Sequence, residues 1–210
     1  ADGIRLGVGG SSYGGFFASL IAGADPRVKA GMSFFTTGNH QLGTGYPQFL
    51  QLRTTDEVGI WSGTIDPAWR LKRKPVPFLW TVAANDHWHH LPAAIKTYQD
   101  AAVPEVPAPG PAIDPDRTKK SDKAAPNPAD VAPRADKRLA LVPNWYHAFP
   151  ENVDQQLIDW FDVYLQHSRQ PYNEPYGLAV KVDGGKLIVS WSWRGTNPVK
   201  KAELLIAYGR

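Results

Sequence analysis

The sequence of 210 residues contains no cysteine, a single methionine and no long uninterrupted run of apolar residues. Without cysteine the chain can form neither a disulfide framework nor a thiolate site, and this absence is compatible with any compartment. Without about 20 consecutive apolar residues we expect no membrane-spanning helix and no membrane partner. The formal net charge is only +3, so we expect no nucleic-acid partner. The one basic cluster, Arg70 to Lys74, is interpreted as a solvated loop.

The composition suits a folded domain, since 42% of the residues are hydrophobic and a core can be buried. Residues 103–137 differ in character. They contain eight prolines interleaved with lysine and aspartate, and no aromatic residue. This low-complexity composition predicts a mobile insertion without a core of its own.

Strands and helices are predicted to alternate along most of the chain. Apolar patterns predict strands at 4–9, 28–35, 76–84 and 138–142, and helices at 16–22, 91–102 and 151–167. A strand, a helix and a second strand within about 35 residues form a βαβ unit, so we expect a parallel sheet. Residues 37–77 show no clean period, and we expect one or two short helices there, shaping a substrate pocket.

The end of the chain has a different pattern. Three strands are predicted at 178–182, 186–193 and 202–208, with a hairpin turn at Asp183-Gly184. The predicted fold class is therefore α/β for residues 1–170, followed by a small antiparallel β appendage over 171–210.

The most informative motif is Gly10-Ser11-Ser12-Tyr13-Gly14-Gly15, which stands between the first predicted strand and the first predicted helix. It satisfies the G-x-S-x-G pattern of a nucleophile elbow, and the glycine spacing selects Ser12 over Ser11. A serine at the tip of so sharp a turn has a strained backbone. Glycine on both sides is expected to remove collisions with the neighbouring strand and helix.

A serine hydroxyl needs a base to take its proton and an acid to orient that base. In a parallel sheet these groups are expected at the carboxyl ends of strands. Asp86 lies two residues beyond the third predicted strand, and His147 lies five beyond the fourth. The order Ser12, Asp86, His147 is the chain order typical of α/β-hydrolases. Asp66 and Asp154 are alternative acids, although Asp154 opens a helix and suits the helix dipole there.

With these residues in view, the sequence resembles the α/β-hydrolase superfamily, in the branch of prolyl-oligopeptidase-like peptidases, acetyl xylan esterases and dienelactone-hydrolase-like proteins. The resemblance rests on the 10–15 motif, on 25–30, on the strand that runs to Asn85-Asp86 and on Tyr146-His147-Ala148-Phe149. It implies Ser12 as nucleophile, His147 as general base and acid, and Asp86 as the residue that orients it. It also implies the backbone N–H of Tyr13 as one oxyanion-hole donor.

The chain departs from this family in two respects. In the family the elbow follows the fifth strand, whereas here it stands at residue 12, and no candidate for the second oxyanion donor is visible. We interpret the sequence as a C-terminal piece of a longer protein, with the C-terminal half of the hydrolase fold. The family also usually has glycine in the last turn of the acid strand, where this chain has Ala83-Ala84.

Other residues are weaker candidates for functional sites. His87, His89 and His90 crowd together, but no second pair of ligands suggests a metal, and no cofactor is expected. His40 and His167 are expected at the surface. Aromatic residues flank the strand ends. Trp88, Trp145 and Tyr146 are candidates for binding a substrate that contains a sugar. Trp80 could serve the same purpose, but packing in the core explains it at least equally well.

The resulting hypothesis is a serine hydrolase that cleaves an ester through an acyl-enzyme, with a small-molecule ester or an acylated carbohydrate as substrate. Three alternatives stay open. The same triad would serve a serine peptidase of the prolyl-oligopeptidase type. The chain could also be a binding protein that keeps the fold without catalysis, or a fragment that is inert because part of its sheet is absent and a strand edge is exposed.

Overall fold

The structure is a computed structural model that describes residues 5–102, 136–149, 151 and 153–202. Four strands form one sheet, in which the order of strands in space is their order in the chain: β1 (Leu6–Ser11), β2 (Val28–Phe34), β3 (Phe78–Ala83) and β4 (Lys137–Val142). Every pair of neighbours is parallel, which confirms the expected parallel sheet. The carboxyl ends of all four strands therefore meet at one edge.

Helices connect and cover the strands. They are α1 (Tyr13–Ala24), α2 (Pro47–Leu50), α3 (Thr55–Ile60), α4 (Pro67–Leu71), α5 (Leu91–Asp100) and α6 (Val153–Phe161). A π-helical turn continues α3 over Trp61–Ile65, and another continues α6 over Asp162–Gln166. In the described part of the chain, every helix is too short or too polar to cross a bilayer.

Strand β3 consists almost entirely of apolar residues because it lies in the middle of the protein. All six of its residues are buried, because helices cover both faces of the sheet. Phe78, Trp80 and Val82 belong to the core cluster that includes residues of α1 and α5. Leu79 and Ala83 belong to the cluster that includes Trp160 of α6 and its continuation. Trp80 is 1% exposed and is therefore a core residue, which agrees with the core-packing interpretation and not with substrate binding.

The stretch between β2 and β3 holds more helix than the one or two segments predicted. A 3-10 turn spans His40–Leu42, and α2, α3 and α4 follow it. Helix α3 begins with a capping box, in which Thr54 and Glu57 bind each other's backbone N–H groups. A capping box marks only the start of a helix. Because this stretch has no hydrophobic period that would mark whole helices, their number could not be predicted.

The basic cluster at 70–74 is not simply a solvated loop. Lys74 Nζ donates hydrogen bonds to the carbonyl oxygens of Ala22, at 2.7 Å, and Asp25, at 2.5 Å. It thereby binds the Ala22 carbonyl group in the last turn of α1 and the carbonyl group of the residue directly after the helix. Arg73 lies 3.8 Å from the centre of the Trp69 ring as a cation–π contact.

The predicted hairpin is confirmed, with its turn at Gly184-Gly185, one residue later than the predicted Asp183-Gly184. Strands β5 (Glu174–Asp183) and β6 (Lys186–Arg194) pair antiparallel, in a sheet separate from the parallel one. Gly184 and Gly185 both have positive φ, 55° and 76°, as the turn of a two-residue hairpin requires. The third strand predicted at 202–208 lies outside the described residues apart from residue 202, and so does the insertion except for residues 136–137.

Candidate active site

The Ser12 turn, residues 10–15, joins β1 to α1. Ser12 has φ 52° and ψ −122°, a conformation that residues other than glycine rarely adopt. Its N–H donates to the Phe34 carbonyl at 2.9 Å, and its carbonyl oxygen accepts from Phe16 N–H at 3.0 Å and from Thr36 Oγ1 at 2.5 Å. These three hydrogen bonds hold a strained residue in place, which is typical of functional turns.

The glycines of this turn do not all serve the same purpose. A β-carbon at Gly10 would come within 2.4 Å of the Gly14 carbonyl group, so the collision expected at Gly10 is confirmed. The collision expected at Gly14 is not found, since no atom of the described residues lies within 4 Å of the corresponding position, apart from its chain neighbours and the backbone of its own helix. Gly15 is the second crowded site, where a β-carbon would come to 2.4 Å from Ser33 Oγ.

Asp86 follows β3 at the carboxyl edge of the sheet. Its Oδ1 accepts hydrogen bonds from the backbone N–H groups of Trp88, at 2.8 Å, and His89, at 3.2 Å. Its Oδ2 lies 2.8 Å from His147 Nδ1. The side chain is 1% exposed, so the carboxylate is buried among the donors that orient it.

His147 lies in the loop after β4 and stands between the acid and the serine. Its Nε2 is 3.0 Å from Ser12 Oγ, while its Nδ1 faces Asp86. Because a carboxylate only accepts, the proton of the neutral ring is on Nδ1 and Nε2 is free to accept the serine proton. Trp145 stiffens this loop, since its carbonyl accepts from Asn85 N–H and its Nε1 donates to the Ala148 carbonyl.

The structure therefore brings together the three residues that the sequence places after three different strands. The alternative acids lie in other settings. Asp66 is buried and accepts three backbone hydrogen bonds, each 2.9 Å long, from Asn39, His40 and Ala68. Asp154 is exposed in the first turn of α6. Asp66 thus organises the turn around His40 and caps α4.

The three aromatic candidates differ in accessibility. Trp88 is 40% exposed and Tyr146 is 58% exposed, whereas Trp145 is half-buried and stacks on Tyr146 with ring centres 5.5 Å apart. The sequence reasoning missed Phe35 and Phe149. The Phe35 ring lies 5.3 Å from the His147 ring and 5.6 Å from Phe149. The position of Phe35 directly after β2, at the same edge of the sheet, was the available signal.

The histidines lie in different settings in the structure. Within 5–102, 136–149, 151 and 153–202, no three side chains of histidine or acid type are placed to share a metal ion. His87 and His90 are exposed, whereas His89 is buried and its ring faces the ring of His147. His167 is exposed as expected.

The expectation for His40 is wrong, because it is 1% exposed. Its Nδ1 accepts from Trp61 Nε1 at 3.2 Å, and its Nε2 faces the Thr37 carbonyl at 3.1 Å. An Nδ1 that accepts carries no proton, so His40 is neutral and forms no ion pair with Asp66 at 3.7 Å. Burial lowers the pKa of His40, consistent with this state.

The oxyanion donor assigned from the resemblance is the backbone N–H of Tyr13, the first residue of α1. The first N–H groups of a helix have no acceptor within it and lie at the positive end of its dipole. The Tyr13 side chain points elsewhere, since its hydroxyl donates to Gln48 Oε1 at 2.7 Å.

Comparison of the coordinates with solved structures identifies the architecture. The chain is similar to an acetyl xylan esterase from Paenibacillus sp. R4, with a TM-score of 0.56 and 16% identity over 79% of this chain and 47% of that one. It is also similar to an acylaminoacyl peptidase from Pyrococcus horikoshii, with a TM-score of 0.55 and 13% identity over 82% of this chain and 26% of that one. The chain has the α/β-hydrolase fold.

A third neighbour supports the same α/β-hydrolase fold. Acetyl xylan esterase 1 from Thermoanaerobacterium sp. JW/SL YS485 matches with a TM-score of 0.53 and 16% identity, over 76% of this chain and 45% of that one. The chain thus spans between 26% and 47% of the length of these three neighbours. By sequence, it matches no protein-family model and no curated protein.

Proposed function

We propose that the protein is a serine hydrolase that cleaves an ester through an acyl-enzyme, with Ser12, His147 and Asp86 as its triad. The observation that carries this proposal is the position of His147, whose two ring nitrogens lie 3.0 Å from Ser12 Oγ and 2.8 Å from Asp86 Oδ2. A hydrogen-bonded series of acid, base and hydroxyl is the arrangement that activates a serine. We further propose residues 1–170 as the catalytic part and 171–210 as a β appendage.

In the first half-reaction, Ser12 Oγ forms a bond to the carbonyl carbon of the ester while its proton moves to His147 Nε2. The carbonyl oxygen gains the negative charge and accepts a hydrogen bond from Tyr13 N–H. The buried Asp86 carboxylate stabilises the imidazolium that forms. When the carbonyl re-forms, the bond to the leaving alcohol breaks, the alcohol takes the proton from His147, and the acyl group stays on Ser12.

In the second half-reaction, water replaces the alcohol. His147 Nε2 accepts a proton from the water as its oxygen bonds to the acyl carbon, and the proton is then given to Ser12 Oγ as the acyl–serine bond breaks. The products are a carboxylic acid and the regenerated hydroxyl. The side chain of His147 is 18% exposed, which leaves a route for water to the base.

For the substrate, we propose an acylated carbohydrate. The exposed rings of Trp88 and Tyr146 lie on the same two loops that carry Asp86 and His147. Flat aromatic surfaces beside a few polar groups are typical of sites that bind small molecules. The likeness to two acetyl xylan esterases agrees with this choice.

A peptide is the second candidate substrate, because the chain has a similar likeness to an acylaminoacyl peptidase. The chemistry would be the same, with an amine as leaving group. Parallel assays with acetylated xylo-oligosaccharides, acylaminoacyl peptides and proline-containing peptides would separate the two. Turnover of a peptide without turnover of the esters would replace the esterase assignment.

The triad is tested by Ser12→Ala, with Ser11→Ala as the matched control one residue away. In the complete protein, Ser12→Ala is expected to abolish hydrolysis of p-nitrophenyl acetate and labelling by a fluorophosphonate, whereas Ser11→Ala retains both. Retention of both by Ser12→Ala would overturn the assignment. A parent protein that fails both assays would favour the binding protein without catalysis.

A further inference from the structure

Two buried side chains lie beneath the triad and have no part in the proposed proton transfer. Thr36 is fully buried and His89 is 4% exposed. His89 Nε2 lies 3.4 Å from Thr36 Oγ1, and the His89 ring lies 5.6 Å from the ring of His147. Its backbone N–H binds Asp86, so His89 touches the acid side of the site as well.

The direction of these hydrogen bonds follows from counting protons. The Ser12 carbonyl oxygen can only accept, so Thr36 Oγ1, 2.5 Å away, donates to it. A hydroxyl has one proton, and that proton is now committed. Towards His89 the same hydroxyl can therefore only accept, and His89 Nε2 must carry the hydrogen.

The Ser12 carbonyl belongs to the same peptide unit as the Tyr13 N–H. A trans peptide is planar, so its C=O and N–H point in opposite directions and rotate together. A hydrogen bond that holds the Ser12 oxygen on the Thr36 side therefore also sets the direction of the Tyr13 N–H. It polarises that N–H too, because hydrogen bonds in a chain strengthen one another.

We propose that His89 and Thr36 are positioning residues: neutral His89 donates from Nε2 to Thr36 Oγ1, which donates to the Ser12 carbonyl and so aims the Tyr13 N–H. The hydrogen-bond direction stands on geometry alone. Its catalytic consequence rests on the proposed function, in which the Tyr13 N–H receives the oxyanion.

The setting of His89 agrees with a permanently neutral donor. Burial lowers the pKa of His89 to about 3, helped by the neighbouring His40, His147 and His90 and opposed by Asp86. The backbone around it is also anchored, because His89 and Thr44 form an isolated β-bridge. The His89 ring is thus held neutral, and its backbone is held in position.

The first test reads the tautomer directly and needs no activity. In the full chain labelled with 15N, imidazole 15N shifts are expected to show His89 neutral with the proton on Nε2 between about pH 5 and 8, well above its pKa. A His89 with the proton on Nδ1, or doubly protonated at neutral pH, would overturn the proposal. Thr36→Val removes the acceptor and is expected to shift the His89 Nε2 signal, whereas Thr36→Ser keeps it.

The second test reads the consequence at Ser12. Thr36→Val is expected to slow fluorophosphonate labelling at least tenfold and to lower kcat for an ester without a matching change in KM. Thr36→Ser restores both, which a purely structural role of the methyl group would not predict. Equal labelling of the valine variant and the parent would overturn the positioning role. An unreactive parent would refute the proposed function instead, and the tautomer measurement would still decide the hydrogen-bond chain.

Discussion

Gly10 and Gly14 lie so close across the Ser12 turn that a β-carbon on Gly10 would come within 2.4 Å of the carbonyl carbon and oxygen of Gly14. A β-carbon is excluded at Gly10 but not at Gly14. Among the described residues, no atom beyond the chain neighbours and the helix backbone of Gly14 lies within 4 Å of a β-carbon placed on it. In the pattern G-x-S-x-G, a side chain is therefore sterically excluded at the first glycine, Gly10, and not at the last, Gly14. A side chain is also excluded at Gly15, the residue that follows the pattern, where Ser33 Oγ takes the space.

This asymmetry predicts the outcome of a matched pair of substitutions. Gly10→Ala pushes a methyl group into backbone that cannot move without opening the turn, and we expect it to destabilise the protein by about 2 kcal/mol or more. Gly14→Ala places alanine in the first turn of α1 and is expected to change stability by less than about 1 kcal/mol, in the favourable direction. Urea unfolding of the two variants measures both, and equal losses would contradict the steric argument.

The proposed triad predicts a specific effect of Asp86→Asn. An amide cannot stabilise the imidazolium by charge, and its NH2 group favours the wrong tautomer of His147. We expect kcat for ester hydrolysis to fall about 10⁴-fold, the loss known for this change in a serine–histidine–aspartate triad. Asp154→Asn, which neutralises an exposed acid in α6, is the control and is expected to stay within twofold of the parent.

If Asp86→Asn instead retains activity within tenfold, Asp86 is not the orienting acid. Asp66→Asn then becomes the informative variant. Asp66 is expected to matter for folding, because it accepts three backbone hydrogen bonds in a buried position. Loss of activity with full retention of stability in that variant would reverse the two assignments.

The parts of this fold that the sequence predicts are those set by local pattern and strand order. Alternating and continuous apolar residues locate the four strands, and the carboxyl ends of parallel strands must share one edge. That rule places Ser12, Asp86 and His147 together without any knowledge of packing.

What the sequence does not predict depends on contacts between distant segments. His40 belongs to a polar, aperiodic stretch, and its burial depends on distant partners such as Asp66 and Trp61, more than 20 residues away. Lys74 is one of several basic residues in a row, and its function as a cap of α1 depends on where α1 ends in space. Charge and spacing alone cannot separate such a residue from a solvated one.

The two neutral buried histidines predict how stability depends on pH. Burial lowers the pKa values of His40 and His89, the latter from 6.5 to about 3, so both stay neutral in the folded state. The unfolded chain takes up these protons as the pH falls below 6.5. The unfolded state then binds more protons, so stability is lost with falling pH. For His89 the loss approaches about 1.4 kcal/mol per pH unit well below pH 6.5, and His40 adds to it in the same direction.

Chemical unfolding between pH 7 and about pH 5, above the range in which most carboxylates titrate, measures this slope. His89→Gln is expected to reduce the stability lost between pH 7 and about pH 5 by roughly 2 kcal/mol, because one group no longer titrates. His87→Gln, at an exposed position two residues away in the same loop, is the control for the exchange of a histidine for a glutamine. A stability that is flat from pH 7 to about pH 5 would show that the two buried rings accept protons in the folded state.

The exposed aromatic rings predict a separation of binding from chemistry. The Trp88 side chain is exposed, whereas its carbonyl accepts hydrogen bonds from Gly45 N–H, at 2.7 Å, and Thr44 Oγ1. Trp88→Ala should therefore remove a binding surface without moving the loop that carries Asp86. We expect KM for an acetylated xylo-oligosaccharide to rise about tenfold, which corresponds to about 1.4 kcal/mol of binding, with little change in kcat. Tyr146→Ala is expected to act in the same direction.

Hydrolysis of p-nitrophenyl acetate should be unaffected by either change, because that small ester offers no sugar ring for the aromatic surface. Trp193→Ala is the matched control, since Trp193 is 49% exposed but belongs to β6 of the separate hairpin. An unchanged KM in both Trp88→Ala and Tyr146→Ala would remove the carbohydrate from the proposed function. The triad chemistry would survive that result, because it rests on the hydrogen bonds of His147 and not on these rings.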